Sequence, residues 1–203
     1  MEQRMTGTFY GVSVGPGDPE LLTLQAVRLR SDGKTILPLQ FAMSRDAAVL
    51  RASHETAASA VRPFLDAGQD VAMLNLGDVS IYATFGYLQE ILQAQGYATA
   101  MAAGVPSFCA AAARLNLPLT GGMDAPLTIA PGSRADEVLD APGTKVLMKT
   151  GRQLPALLDT LEYLKRGGRI SKAAAMAEAK SAAETMLADF QSGVVGLVIA
   201  VRQ

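Results

Sequence analysis

The chain has 203 residues, 49% of them hydrophobic, which is enough to bury a core in one large domain or two small ones and excludes a disordered protein. A formal charge of −1, from 18 Lys and Arg against 19 Asp and Glu, excludes the whole-molecule basic field that drives nucleic-acid binding. No run reaches the roughly 18 uninterrupted apolar residues of a membrane span, MEQRMTGTFY holds no signal-peptide core, and the single Cys109 cannot close an internal disulfide, so a soluble, cytoplasmic protein is expected.

The segment Thr8 to Val14, TFYGVSV, is β-branched and aromatic and runs into Gly15-Pro16-Gly17-Asp18-Pro19, which predicts a strand ending in a turn. PELLTLQAVRLR then predicts a helix, with Asp18 as N-cap and Pro19 at the first position. Strand, glycine turn and helix open an α/β unit. Ser53 to Ala67 has a helical period in spite of Pro63, which should kink it. Gln69 to Leu76 predicts the next strand and Tyr87 to Gln95 lies in the helix after it. GYATAMAA predicts another strand before Gly104, and VPSFCAAAARLNL another helix. The order β-α-β-α-β-α implies parallel strands with ligands at their carboxyl ends.

Residues 119–134 are rich in Gly and Pro and predict a linker leading into a strand at Leu127 to Ala130. TKVLMK predicts a strand, LPALLDTLEYL a helix, KAAAMAEA a strand or turn, and GVVGLVIAV a final strand. A boundary near Leu119 divides the chain into an N-terminal α/β domain, 1–118, and a C-terminal one, 119–203.

No G-x-G-x-x-G fingerprint with an acidic partner and no phosphate loop ending in Gly-Lys-Ser/Thr occurs, so the two commonest reasons for glycine turns after strands are absent. With one histidine, His54, and one cysteine, no zinc site is expected. His54 reads as a surface or cap residue and Cys109 as a small buried packing residue. What remains is three glycine turns at strand ends, Gly15 to Asp18, Gly77-Asp78 and Gly104 to Ser107. Each alone is explained by glycine's ease at positive φ, but a parallel sheet would bring all three to one edge, as a binding cleft.

These blocks carry a resemblance. GVSVGPGDPELLTLQAVRL resembles the N-terminal signature of the tetrapyrrole (corrin/porphyrin) methyltransferases, LGDVSIYATFGYL their second signature, GVPSFCAAAARLNLPL their third, and KVLMKTGR the strand after their interdomain linker. The four blocks stand in the family's order and cover most of the chain. Gly-Asp-Val-Ser-Ile-Tyr, Val-Pro-Ser-Phe before an alanine-rich helix, Leu-Met-Lys, and FAMSRDA are most similar to the branch that methylates precorrin-2 at its C-20 meso carbon.

The resemblance implies a fold of two α/β domains with a cleft between them, the first with a mainly parallel sheet. It also implies S-adenosylmethionine as methyl donor, S-adenosylhomocysteine as product, a tetrapyrrole substrate and a homodimer. Carried onto this chain, it implies cofactor contacts at Pro16, Leu76, Gly77, Asp78, the backbone of Ile81, Pro106, Ser107, Met148 and Lys149. Asp78 is expected to orient the cofactor or the reacting ring, with a turn or N-cap carboxylate as the plain alternative, and Tyr82 to face the ring or fill the core. For Ser107 the alternative is a helix N-cap. A substrate rich in carboxylates calls for cations, for which Arg45, Arg114 and Arg152 stand beside Lys149, each also readable as a solvated surface charge. Three departures from the family are visible. Arg30 passes directly into SDGKTILPLQF where the family carries a further strand, loop and helix; the proline that usually precedes the third glycine is Ala103; and AAAMAEAKSAAETM matches loosely.

Overall fold

The β-branched and aromatic run Thr8–Ser13 forms strand β1, and Val71–Asn75 and Ala98–Ala102 form β2 and β3. β1 pairs in parallel with both, Phe9 opposite Val71 on one side and Thr99 on the other, giving a three-stranded sheet in the order β2-β1-β3. The central place of β1 puts the switch in strand order beside its own carboxyl end, where ligands of open α/β sheets bind. A computed structural model describes residues 6–29, 34–168, 172–176 and 198–202. No described helix is long and apolar enough to cross a membrane.

Two long helices, α2 (Ala47–Asp66) and α3 (Phe85–Ala94), pack with Phe9 into one core. Phe9, Ala58, Val61, Leu65, Phe85, Leu88 and Leu92 are fully buried, each large side chain contributing about 1.5–3 kcal/mol. The rings of Phe9 and Phe85 stack at 5.0 Å. Gly11 lets them do so, because a Cβ there would lie 2.7 Å from the Phe85 ring.

Helix α2 begins ahead of the expected Ser53 because Asp46 caps it, accepting from the amides of Ala48 at 2.8 Å and Val49 at 3.3 Å. It continues through Pro63 to Asp66. The helix expected from Pro19 instead divides into a 3-10 turn, Pro19–Leu21, and a short α1, Leu24–Val27. Thr23 causes the break: its hydroxyl accepts from the Ala26 amide at 3.1 Å and starts a new helix.

Between α1 and α2 the described residues 34–46 form neither strand nor helix. Leu37, Leu39 and Phe41 still turn alternately inward onto the core, while Ile36 and Met43 are exposed. The Ala42 amide donates to the Ser53 hydroxyl at 2.8 Å, and His54 lies between Phe41 and Tyr87, stacked on the latter at 4.4 Å. His54 is therefore part of an aromatic ladder that fastens the shortened crossover to α2 and α3.

Contacts divide the chain into two compact units, Met1–Gly15 with Pro19–Val105, and Pro16–Asp18 with Pro106–Gln203. This contact division falls ahead of α4 (Ser107–Arg114), which packs on β7 (Val198–Arg202) of the second sheet. α4 ends in a Schellman turn: Asn116 has φ 50, its amide donates to Ala113 O at 3.0 Å, and Leu117 N donates to Ala112 O at 2.9 Å. Cys109 is exposed on this helix, contrary to the packing role expected of it; partial desolvation raises its thiol pKa above 9.0.

The second unit holds β4 (Leu127–Pro131), β5 (Thr144–Met148), β6 (Lys172–Met176) and β7 in the order β4-β5-β7-β6. β4 and β5 are parallel and β7 runs antiparallel to β5 and β6. Short α5 (Ala135–Val138) and long α6 (Leu154–Arg166) pack on it through Ala135, Leu157, Leu161 and Leu164, against Ala130 and Leu147. Of the loosely matching AAAMAEAKSAAETM, all after Met176 lies outside the described residues.

Candidate active site

The three strand ends of the first unit are joined to one another by hydrogen bonds. Val14 N donates to Asn75 O at 2.9 Å, and Gly77 N to Gly15 O at 2.8 Å, so the first and second turns are bridged. Gly77 has φ 76, a left-handed conformation that glycine takes without strain. The second turn reaches the third through Asp78, whose Oδ2 accepts from Gly104 N at 2.7 Å. Its Oδ1 accepts from Ser80 N at 2.9 Å and from the Ser80 hydroxyl. Burial by itself would raise the Asp78 pKa, but the Ser80 hydroxyl and the Gly104 and Ser80 amides outweigh it and hold the carboxyl below 3.8.

Sequence reasoning did not single out Ser13. It is the last residue of β1, fully buried, and its Oγ accepts from the Val79 amide at 2.9 Å across 66 positions of chain. A Cβ on Gly104 would collide with the Cβ of Ser13 and lie 2.9 Å from the Gly77 carbonyl oxygen. The missing side chain at Gly104 thus serves the packing of turn on turn. The one trace of Ser13's role in the sequence is that TFYGVS closes on a small polar residue immediately before the glycine turn.

Leu76 and Tyr82 are exposed beside this edge. The Ile81 amide donates to Asp78 O at 3.2 Å, so its N–H is already used within the turn. Tyr82 has φ 50, which costs a side-chain-bearing residue roughly 1–3 kcal/mol and is a conformation that gathers at functional sites. Arg45 is exposed immediately before the Asp46 cap. The short connection from Ala67 to Asp70 sets the other end of α2 at the start of β2, so Arg45 stands at the same end of the first unit as the glycine turns.

The remaining candidates belong to the second unit. Pro106, not Ser107, is the N-cap of α4, and Ser107 is its first helical residue, with no side-chain cap bond. Arg114 lies 3.8 Å from the carboxylate of Asp18, which follows Pro16 in the same unit. Met148 ends β5, nearly buried, and Lys149 after it has φ 55; desolvation lowers its pKa below 10.5. Next to it the buried Thr150 hydroxyl has no hydrogen-bond partner among the described residues, and Thr150 fills the space that Gly132 leaves, where a Cβ would lie 2.6 Å from its Cγ2. Arg152 falls in the following 3-10 turn, Gly151–Gln153.

A parallel sheet with fused glycine turns at its carboxyl edge, followed in the chain by a second, mixed α/β unit, belongs to the class of α/β proteins whose small-molecule ligands bind at the carboxyl ends of the strands. Residues 8–190 match the family model of the Tetrapyrrole (Corrin/Porphyrin) Methylases, and the chain belongs to that family, whose members are S-adenosylmethionine-dependent tetrapyrrole methyltransferases. It is 33% identical to the "Probable cobalt-precorrin-2 C(20)-methyltransferase" of Methanocaldococcus jannaschii, over 70% of this chain and 71% of that one. It is 28% identical to the "Precorrin-2 C(20)-methyltransferase" of a Sinorhizobium species, over 79% of this chain and 84% of the other. That second alignment runs over 208 positions, more than the 203 residues present here, so the relative carries residues this chain lacks. The fold is shared with the uroporphyrin-III C-methyltransferase of Thermus thermophilus complexed with S-adenosylhomocysteine, at a TM-score of 0.62 and 23% identity, over 96% of this chain and 97% of that one.

Proposed function

We propose that the protein methylates precorrin-2 at the C-20 meso carbon, giving precorrin-3A in cobalamin biosynthesis, as a cytoplasmic homodimer. The observation that carries this reading is that relatives 33% and 28% identical over most of their length are both named for the C(20) position. The sequence blocks FAMSRDA and GDVSIY support the same branch.

The donor set fits S-adenosylmethionine. When bound, that cofactor supplies an electrophilic methyl group on a sulfonium. Asp78, kept ionised by its hydrogen bonds, suits a cationic amino-acid end. The turn around Gly77 holds the backbone of Leu76 to Ile81 rigid, so that little ordering is left to be done on binding. Pro16, Pro106, Ser107, Met148 and Lys149 are assigned to the same cofactor on the family resemblance, and the Thr150 hydroxyl next to Lys149 is a buried polar group without a partner among the described residues. Tyr82, held in a strained conformation, is assigned to the reacting ring, and Arg45, Arg114 and Arg152 to the substrate's carboxylates. No nucleophile on the protein is required, since a meso carbon of a reduced tetrapyrrole is itself electron-rich. The chain's task is alignment and exclusion of water, an effect worth up to about 7–11 kcal/mol.

Anaerobic incubation with precorrin-2 and, in parallel, cobalt-precorrin-2, using methyl-labelled S-adenosylmethionine, tests the proposal by mass spectrometry and carbon NMR. One labelled methyl at C-20 of either substrate is the expected result, and the faster substrate identifies the metal form. Label at another carbon, or none, overturns it. Light scattering of the purified protein tests the homodimer.

A further inference from the structure

We propose that Ser13 is a positioning residue of the cofactor site: its hydroxyl locks the Gly77-Asp78 turn from beneath and fixes the register of all three glycine turns. The inference rests on the assignment of S-adenosylmethionine to this edge and goes beyond it, to a side chain that touches no ligand. Asp78 ties the second turn to the third, but a carboxylate on a free loop would carry its loop with it. Something must hold the loop itself. The only side-chain anchor of that loop from β1, among the described residues, is the bond from Val79 N to Ser13 Oγ at 2.9 Å. Val79 follows Asp78 directly, so fixing its amide fixes the Asp78–Val79 peptide and with it the Cα from which the Asp78 carboxylate projects. Val79 is itself 3% exposed, and its amide would lie buried without a partner if the hydroxyl were removed. Ser13 also occupies the space against Gly104, so the same side chain spaces β1's end from β3's. Alanine at this position keeps the Cβ and the spacing but loses the bond. The hydroxyl's contribution can therefore be isolated.

The experiment measures S-adenosylhomocysteine binding by calorimetry for the wild-type protein, Ser13→Ala and Val61→Ala, at a temperature where all three are folded by circular dichroism. Val61 is fully buried in α2, away from the turns, and its truncation lowers stability without touching the edge. Ser13→Ala is expected to weaken binding about tenfold and to raise the KM for S-adenosylmethionine more than it lowers kcat, while Val61→Ala leaves affinity unchanged. Ser13→Cys, which retains a weak acceptor of similar size, is expected to fall between Ser13→Ala and wild type, and it replaces the alanine variant if that does not fold. Equal affinity of Ser13→Ala and wild type overturns the inference and leaves the cofactor assignment standing, as does an equal loss in Ser13→Ala and Val61→Ala. No binding by the wild-type protein overturns the cofactor assignment, and this inference with it.

Discussion

Replacing Asp78 separates its part in the fold from its part in the chemistry. Asp78→Ala removes the Gly104 bond at 2.7 Å and both bonds from Ser80. Hydrogen bonds to a charged group contribute about 1.5–3 kcal/mol each. The Ser80 bonds are at the surface, where water takes their place, so the partly buried Gly104 bond dominates and the expected loss is about 2 kcal/mol. Asp78→Asn keeps the shape, but its single carbonyl oxygen can serve Ser80 or Gly104 and not both; about 1 kcal/mol should go. The sign with pH follows from the lowered pKa. A carboxyl depressed below its unfolded value of 3.8 contributes stability fully above that pH, and the contribution is lost as pH falls through the lower folded value. Urea unfolding from about pH 6 down to pH 3 should show a steeper acid loss in wild type than in Asp78→Asn. Coincident acid limbs, or an alanine variant as stable as wild type, would refute the view that Asp78 clamps the second turn to the third.

Lys145 is fully buried in β5, with Gly143 O as hydrogen-bond acceptor at 3.0 Å, and burial lowers its pKa, partly countered by Asp140. Lys145→Met should stabilise the protein at neutral pH by roughly 1 kcal/mol and abolish the rise in stability that wild type shows as pH climbs through the lowered pKa toward 10.5; thermal melts across that range check both. Thr150→Val replaces an orphaned buried hydroxyl with a methyl and should raise stability by about 1 kcal/mol in chemical denaturation; a fall would mean that the hydroxyl has a partner in solution. Lys149→Gly relieves a left-handed backbone worth about 1–2 kcal/mol, less the glycine entropy of roughly 0.5–1 kcal/mol, so the protein should become slightly more stable while S-adenosylhomocysteine binds more weakly in calorimetry. Gly104→Ala forces a Cβ into Ser13 and should cost both folding stability and S-adenosylhomocysteine affinity, measured on the same sample.

The strands were legible because TFYGVS, VAMLN and TKVLM are short apolar runs bounded by turn residues, and the glycine turns because nothing else explains glycine at three successive strand ends. Helix starts were less so. The Asp46 cap of α2 sits inside a stretch that reads first as a motif, and the Thr23 cap interrupts a run whose apolar period continues on both sides of it. Long-range features were not legible at all. The partnership of Ser13 with Val79 spans 66 residues, and the positive φ of Tyr82 and Lys149 is imposed by tertiary structure on residue types that avoid it. Candidate residues were found by type, and what each carboxylate or amide already bonds to appeared only in the fold: Asp78 is committed on both oxygens and the Ile81 amide is spent inside its own turn.

Two departures from the family pattern become intelligible in the same terms. Ala103 stands where a proline usually stiffens the approach to Gly104, yet Gly104 is held from outside, by Asp78 through its amide and by Ser13 through close packing. A turn fixed by two neighbouring strands does not depend on its own backbone stiffness. The short crossover between α1 and α2 likewise removes nothing from the clamp, whose members all lie at the ends of β1, β2 and β3, the three strands that remain paired. What the crossover does supply is cover for the core through Leu37, Leu39 and Phe41, anchored at Ser53 and His54. Shortening should therefore lower the stability of the first unit, through lost burial, while leaving the geometry of the glycine edge intact. Phe41→Ala isolates that separation: it should cost about 2–3 kcal/mol in unfolding, a partly buried aromatic falling short of the full core penalty, with S-adenosylhomocysteine affinity unchanged at a temperature where the variant is folded. A parallel loss of affinity would place the crossover within the site instead of behind it.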